Sequence, residues 1–484
     1  MKNFFSRYHI RYIRSLVYMA QASEYNTQDF LRWFWRTRDF LHVEQRKKLE
    51  RTPKTIVFLV LLHTLAAILY AFALWVVLVG TVWWRFLAGP AVALLTPSIL
   101  AYCTADLLFL WKFIQWPVEA VIVRHARQKL VTHKAVKIAI AGSFGKTSMR
   151  EILKTVLSAG KKVAAPPGSY NTPLGISSFV RKLRGDEDVL VFELGEYYPG
   201  DVKRLCALVQ PDIGVITGVN EAHLEKFKDI SRTQATVFEL ADYLHASVIP
   251  AKAGIQKGLL YVNGENEAAR SYASDPVLYT RSGAGAWHVE RAQTGLQGTS
   301  FTLKGSGKEV SVRSGLLGLH NVGPIIAAAD IALQLGLTAA EIEKGIDATK
   351  PFEHRLEPHT DAQGVVWLDD SYNGNPDGVR AVIEFLSSLK GRRWYVTPGL
   401  VEMGSKKEEV HKEIGRQLAR AGIEKVVLVR NSVTSYIAEG LQEEKYSGEV
   451  MWFDKALDAF AALPNLTVKG DVVLLQNDWP DQYA

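Results

Sequence analysis

Three observations predict an α/β protein with a pair of apolar helices in front of it. Residues 139–147, AIAGSFGKT, read as a strand that runs into a glycine-rich loop and then a helix. Beyond that loop, strand-like and helix-like segments alternate, as a mainly parallel sheet requires. Before it, residues 55–84 contain no Asp, Glu, Lys or Arg. The expected fold is therefore a P-loop central domain and a Rossmann-like C-terminal domain, preceded by a two-helix transmembrane hairpin.

The loop carries the chemistry. Residues 136–140 supply β-branched apolar side chains, Gly142 and Gly145 free the backbone to curl, and residues 149–157 continue at helical spacing. Such a loop, here with Ser143 and Ser148, turns backbone N–H groups and the positive end of a helix toward phosphate. Lys146 would reach the terminal phosphates and Thr147 would hold Mg²⁺. The strict G-x-x-x-x-G-K-[ST] form would have glycine at position 140, where this chain has Ile140. Nucleotide chemistry, with Mg²⁺ beside the phosphates, is the expectation from this loop.

The formal charge of +7 is uneven: residues 1–54 hold 12 Lys/Arg against 5 Asp/Glu, and the rest is balanced. The basic pI therefore implies no nucleic-acid partner. Cys103 and Cys206, the two cysteines, form no metal-like cluster or disulfide framework, which fits a reducing compartment.

At about 1.5 Å per residue, the uncharged run 55–84 exceeds the roughly 30 Å of bilayer hydrocarbon. After Arg85 a second uncharged run, 86–105, leads past Asp106 to Trp111, with Pro90 and Pro97 as candidate kinks. Trp83, Trp84, Trp111 and Trp116 sit where interfacial anchors belong, and basic residues flank both outer sides, which places both ends in the cytoplasm. The expected order is a basic segment 1–54, a hairpin 55–115 and a linker 116–134. A multi-pass protein of the cell membrane, with its catalytic domains facing the cytoplasm, follows from this reading. Phe30, Trp33, Phe34 and Trp35 interleave with Arg32, Arg36 and Arg38, which suits either an anionic membrane surface or a helix packed on its own domain.

Strands are expected at 188–194, ending near Glu193, and at 212–219, followed by His223. Ligands gather beyond the carboxyl ends of such strands, so both side chains would border the phosphate loop. In the C-terminal part, a strand at 393–398, a loop with Gly399, Glu402 and Gly404, a helix at 408–419 and a strand at 426–430 suggest the Rossmann-like domain.

Several ungapped motifs now coincide: GSFGKTS, YNTPLGIS at 170–177, VFELGEYYPGDVKRL at 191–205, VNEAHLEKF at 219–227, GLHN at 318–321, HRLE at 354–357 and DDSYNGNPDGVRA at 369–381. In order and spacing, from about residue 136 onward, they resemble the Mur ligases, and most closely the subgroup that adds D-alanyl-D-alanine to a UDP-muramoyl tripeptide. The resemblance implies an ATP-dependent amide ligase of peptidoglycan precursor synthesis acting through an acyl phosphate, with an ATP-binding domain at 135–358 and a C-terminal domain at 359–484. It implies that Lys146 and Thr147 serve the ATP phosphates and Mg²⁺, that Glu193 binds magnesium and that His223 binds a second magnesium. His320 and Asn321 match a pair near adenine, and Arg355 matches an arginine on the terminal phosphate. Asp370, Tyr372, Asn373 and Asn375 match the segment that closes the C-terminal domain over the nucleotide, and Asn171 and Thr172 match positions near the acceptor.

One position departs from the pattern. Family members carry a carbamylated lysine that bridges to the second magnesium, and Val237 stands in its place. Glu239 or water would take over, or that metal site is weak or absent. Residues 1–130 replace the domain with which soluble members bind the UDP portion, so a membrane-bound ligase for a lipid-linked or polyglutamate-type substrate stays open beside a non-catalytic nucleotide-binding scaffold. The expected partners are a small-molecule or lipid-linked cell-wall precursor and membrane lipid, and the sequence leaves oligomeric state undetermined. Residues 247–257, SVIPAKAGIQK, read as an inserted surface loop.

Overall fold

The computed structural model describes residues 5–23, 25–40, 49–79, 82–168, 170–222, 224–246, 258–305, 307–372 and 374–477. The expectations for His223, Asn373 and the inserted loop 247–257 lie outside the described residues. The chain forms two compact units, Met1–Val121 with Pro480–Ala484, and Ile122–Trp479.

The first unit is helical. The Asn26 side chain caps the helix Thr27–Arg36 by accepting from the backbone N–H groups of Gln28 and Asp29. Its Phe30 and Phe34 are buried with Leu16, Phe40, Phe58 and Leu62, whereas Trp35 is 64% exposed. Of the two readings of this aromatic and basic helix, packing on its own unit holds for the phenylalanines. Two helices, Pro53–Val79 and Arg85–Thr132, are long and apolar enough to cross a bilayer. Ile68, Phe72, Leu74 and Leu78 point outward from the first, with no charged residue between Thr55 and Val79 to solvate that face. The second runs through Pro90, Pro97 and Pro117 and continues across the segment 116–134 expected to be a linker.

The second unit holds two sheets. In the first, β1 (Val136–Ala141), β2 (Val163–Ala164), β3 (Val189–Glu193), β4 (Ile213–Ile216), β5 (Leu259–Asn263) and β6 (Val277–Thr280) are parallel, in the order β2-β3-β1-β4-β5-β6. Beyond β6, the strands β7 (Gly283–Ala284), β8 (Trp287–Gly295), β9 (Gly298–Gly305) and β10 (Lys308–Ser314) continue the sheet antiparallel. Every residue of β1 is buried, because helices cover both faces. Ile138 and Ile140 pack on one side with Met149, Ile152 and Ile326; Ala139 and Ala141 pack on the other with Ile176, Leu205 and Phe238.

The second sheet comprises β11 (Glu357–Thr360), β12 (Val366–Asp370), β13 (Arg393–Thr397), β14 (Lys425–Val429), β15 (Glu449–Phe453) and β16 (Val472–Gln476), in the order β11-β12-β16-β13-β14-β15. All its pairings are parallel except β11 with β12. The helix Lys407–Arg420 follows the predicted loop, which is held by Leu400 N–H donating to buried His411 Nε2 at 2.9 Å.

Candidate active site

The site begins at the carboxyl end of β1, between β3 and β4, where strand order reverses and an α/β sheet opens a crevice. Gly142 has φ +143°, and a Cβ there would lie 2.2 Å from Thr217 Oγ1, so only glycine allows the loop to turn against β4. Lys146 opens the helix Lys146–Leu157, and its Nζ donates to the Gly142 carbonyl and to Glu196 Oε1, the latter at 2.6 Å. Thr147 Oγ1 donates to Glu193 Oε2 at 3.2 Å, and Arg150 Nη1 lies 2.7 Å from Glu193 Oε1. Burial pushes the Glu193 carboxyl up, while Arg150 and Lys146 oppose the shift. A hydroxyl and carboxylate oxygens beside a phosphate loop are the donor set that Mg²⁺ prefers, so these residues fit the ion.

The loop forms one wall of a cavity of about 240 Å³ whose other walls come from both sheets. Gly145, Ser148 and Thr217 line it on one side, and His320, Asn321, Arg355, Asp370 and Asn375 on the others. Gly318, at φ +90°, is forced by His320: a Cβ would meet the ring at 2.5 Å. Asn321 Nδ2 donates to Leu317 O at 2.7 Å and lies 3.2 Å from His320 Nε2. Dense surroundings hold the part-buried His320 ring down to about 4, and neighbouring Arg281 acts in the same direction. Burial likewise pushes Asp370 up to about 7 against the pull of Arg355, whose guanidinium lies over the Tyr372 ring at 4.9 Å.

Two contacts join the sheets across this cavity. Buried Asn220 donates through Nδ2 to Asn375 Oδ1 at 2.9 Å and to Asp377 Oδ2 at 2.8 Å. Arg281 forks onto Glu384 at 2.6 and 2.9 Å. Among the described residues, Ser143 Oγ, Glu196 Oε2, His320 Nδ1, Arg355 Nε and Gln476 Nε2 are buried without a hydrogen-bond partner. Unpaired buried polar atoms are costly, and those of His320, Arg355 and Gln476 belong to residues that line this cavity, which marks a polar ligand site.

The structure brings the predicted loop residues, Glu193, His320, Asn321, Arg355, Asp370 and Asn375 to one region of the fold. Asn375 also caps the helix Pro376–Ser388 by accepting from Gly378 N–H at 3.0 Å. Thr172 caps the helix Pro173–Arg181 by accepting from Gly175 N–H at 3.2 Å, and Asn171 O accepts from Gly195 N at 3.0 Å, next to Glu196. Glu239 does not stand in for the missing lysine, because its two oxygens accept from Gly200 and Lys203 N–H, each at 2.8 Å. Val237 is fully buried in the apolar cluster of its sheet face. Glu196, Arg281, Asn220 and Asp377 were not singled out from sequence. Glu196 had a signal in its place three residues after Glu193, whereas Arg281 and Glu384 lie 103 residues apart and meet only by folding.

The Mur ligase middle domain matches residues 140–332, and the Mur ligase glutamate ligase domain matches residues 354–476. The UDP-N-acetylmuramoyl-tripeptide–D-alanyl-D-alanine ligase of Mycobacterium tuberculosis (strain CDC 1551 / Oshkosh) is 30% identical over 373 residues, covering 72% of this chain and 71% of that protein. MurF of Acinetobacter baumannii superposes with TM-score 0.65 at 23% identity, covering 75% of this chain and 78% of the other. The MurF ligase of Thermotoga maritima in complex with ADP gives TM-score 0.64 at 23% identity, covering 74% and 80%. With both sheets, the phosphate loop and these matches in agreement, the chain belongs to the Mur ligase family of ATP-dependent amide-forming ligases.

Proposed function

We propose that this protein joins D-alanyl-D-alanine to the terminal carboxylate of a muramoyl tripeptide, at the cytoplasmic face of a membrane. The observation that carries the reading is the convergence of the phosphate loop, His320 with Asn321, and Arg355 with Asp370 on one cavity. The named activity of the mycobacterial and other relatives supports the substrate pair.

The substrate carboxylate attacks the γ-phosphoryl group of ATP to give an acyl phosphate and ADP. The dipeptide amine then attacks the acyl carbon, loses a proton and expels phosphate. Lys146 sits where it can bear on the terminal phosphates, and Arg355 adds positive charge from the opposite wall. Thr147 and Glu193 would hold Mg²⁺, which neutralises charge on the phosphates. Asn220 and Arg281 tie the two sheets together around the reacting groups. Asn171 and Thr172 border the acceptor side.

The segment outside the family match supports the membrane part of the reading, since two helices of bilayer length precede residue 140. It also favours a second reading in which the muramoyl peptide is lipid-linked. The test is phosphate release by the detergent-purified protein with Mg²⁺-ATP, D-alanyl-D-alanine and either a UDP-linked or a lipid-linked muramoyl tripeptide, with the product identified by mass. Stimulation with an amide-linked product establishes the ligase and selects the acceptor. Detectable ATP binding without stimulation by either acceptor overturns the proposed substrate pair.

A further inference from the structure

Three carboxylates crowd the phosphate-loop side of β3 and the loop after it, and they are used differently. Both oxygens of Glu239 accept backbone N–H groups at the start of the helix Asp201–Val209. Glu193 Oε2 accepts from Thr147 Oγ1, and its Oε1, without a hydrogen-bond partner among the described residues, is ion-paired with Arg150 Nη1 at 2.7 Å. Glu196 is 2% exposed; its Oε1 lies 2.6 Å from Lys146 Nζ, and its Oε2 is buried with no partner among the described residues. We infer that Glu196 presents this carboxylate to a divalent cation bound with the nucleotide phosphates. The inference rests on the ATP-dependent reading above.

The physical argument is one of charge. Leaving a buried carboxylate oxygen unpaired is costly, and a single contact to Lys146 does not relieve it. Lys146 belongs to the phosphate loop, so a polyphosphate drawn to it meets the Glu196 carboxylate at close range. Two anions in a site of low dielectric repel each other strongly, and a hard divalent cation with oxygen ligands converts that repulsion into shared coordination. Glu239 is held by two backbone N–H groups and Glu193 Oε1 faces the Arg150 guanidinium, so of these carboxylates it is Glu196 that keeps an oxygen with neither kind of partner among the described residues. The competing account is that Glu196 is only a counter-ion for Lys146. The two accounts predict opposite metal dependence.

The experiment uses the full-length protein in detergent, with Mn²⁺ as probe and a non-hydrolysable ATP analogue, and follows bound Mn²⁺ by electron paramagnetic resonance. Binding of a fluorescent ATP analogue at saturating Mn²⁺ and thermal melting without metal are measured alongside. Glu196→Gln is expected to weaken Mn²⁺ binding at least tenfold, to change the Mn²⁺ spectrum, and to leave nucleotide binding at saturating Mn²⁺ within threefold of wild type. Glu196→Asp, which keeps the charge beside Lys146, is expected to weaken Mn²⁺ binding less and serves as the folded control if the glutamine variant does not melt cooperatively. Unchanged Mn²⁺ affinity and spectrum in a folded variant, with tighter metal-free nucleotide binding, overturns the inference and leaves a counter-ion. Absence of nucleotide binding by the wild-type protein instead overturns the ATP-dependent reading and the inference with it.

Discussion

In the second unit, Ser143 Oγ, Glu196 Oε2, His320 Nδ1 and Arg355 Nε are polar atoms buried without partners among the described residues. In the first, Ile68, Phe72, Leu74 and Leu78 are large apolar side chains turned outward along one helix. Folding normally does the reverse, so a buried orphan polar group and an exposed apolar face are the informative exceptions. They teach different lessons. The first exception calls for a small polar ligand that completes hydrogen bonds and charge. The second leaves an apolar helix face whose covering the substitution at Ile68 tests.

The largest effect that tests this contrast is expected at Lys146. Lys146→Ala should lower ATP turnover about 10²–10³-fold, since it removes a preorganised charge from the phosphate loop. Association with membranes, read by resistance to alkaline extraction, should be unchanged. Near-normal turnover would break the nucleotide side of the comparison. On the other side, Ile68→Arg places a charge near the middle of Pro53–Val79. In a bilayer this costs about 2.5–3.5 kcal/mol, so the protein should become extractable. On a helix facing water the same exposed position would tolerate arginine within about 0.5 kcal/mol, and unaltered extraction and melting would show that the outward face is not lipid-covered.

A third test probes a buried position where the family pattern alone would mislead. Val237→Lys restores the residue type that the resemblance calls for, yet it places an amine in the apolar cluster with Phe238 and Leu240. The expected outcome is a loss of about 2–3 kcal/mol in stability, read by thermal melting, without a gain in turnover. A rise in Mn²⁺-dependent turnover would show instead that the helix Ile230–Ala246 can turn this position toward the phosphates.

The smallest effect concerns pH. His320 is held down to about 4 from an ordinary 6.5, so between those values the unfolded chain binds more protons than the folded one. Stability from this group is full above about pH 6.5 and is lost progressively as pH falls toward 4. Asp370, raised to about 7, acts with the opposite sign, losing stability as pH rises from the ordinary carboxylate range to about 7. The difference between wild type and His320→Asn isolates the histidine: melting curves of the variant should lose the acid-side decline that His320 supplies. Identical pH profiles would place the ring in contact with solvent.

Much of the central sheet was legible because its cues are local. The run at 136–140 became β1, and the expected strands at 188–194 and 212–219 appear as β3 and β4, each shorter at its ends. The expected helix at 408–419 is Lys407–Arg420. The second apolar run was legible in composition but not in extent, because the helix continues past Trp111 and through Pro117 to Thr132. Glu239 shows the opposite limit. Its type made it a candidate ligand, and only the approach of two backbone N–H groups from another helix revealed that its oxygens are occupied.

By itself the sequence determined the apolar run of bilayer length, the strand–loop–helix with Lys146 and Thr147, and the order of motifs that marks the family. Each of these depends on residues close together in the chain, whose periodicity and spacing survive without a fold. Only the tertiary structure decided which polar atoms are left over. It paired Arg281 with Glu384, joined Asn220 to Asn375 and Asp377, sealed Val237 among apolar neighbours and left one oxygen of Glu196 free. The reason is that hydrogen-bond satisfaction is a property of the whole packed arrangement: a donor and acceptor distant in sequence meet or miss according to how the sheets and helices close around them.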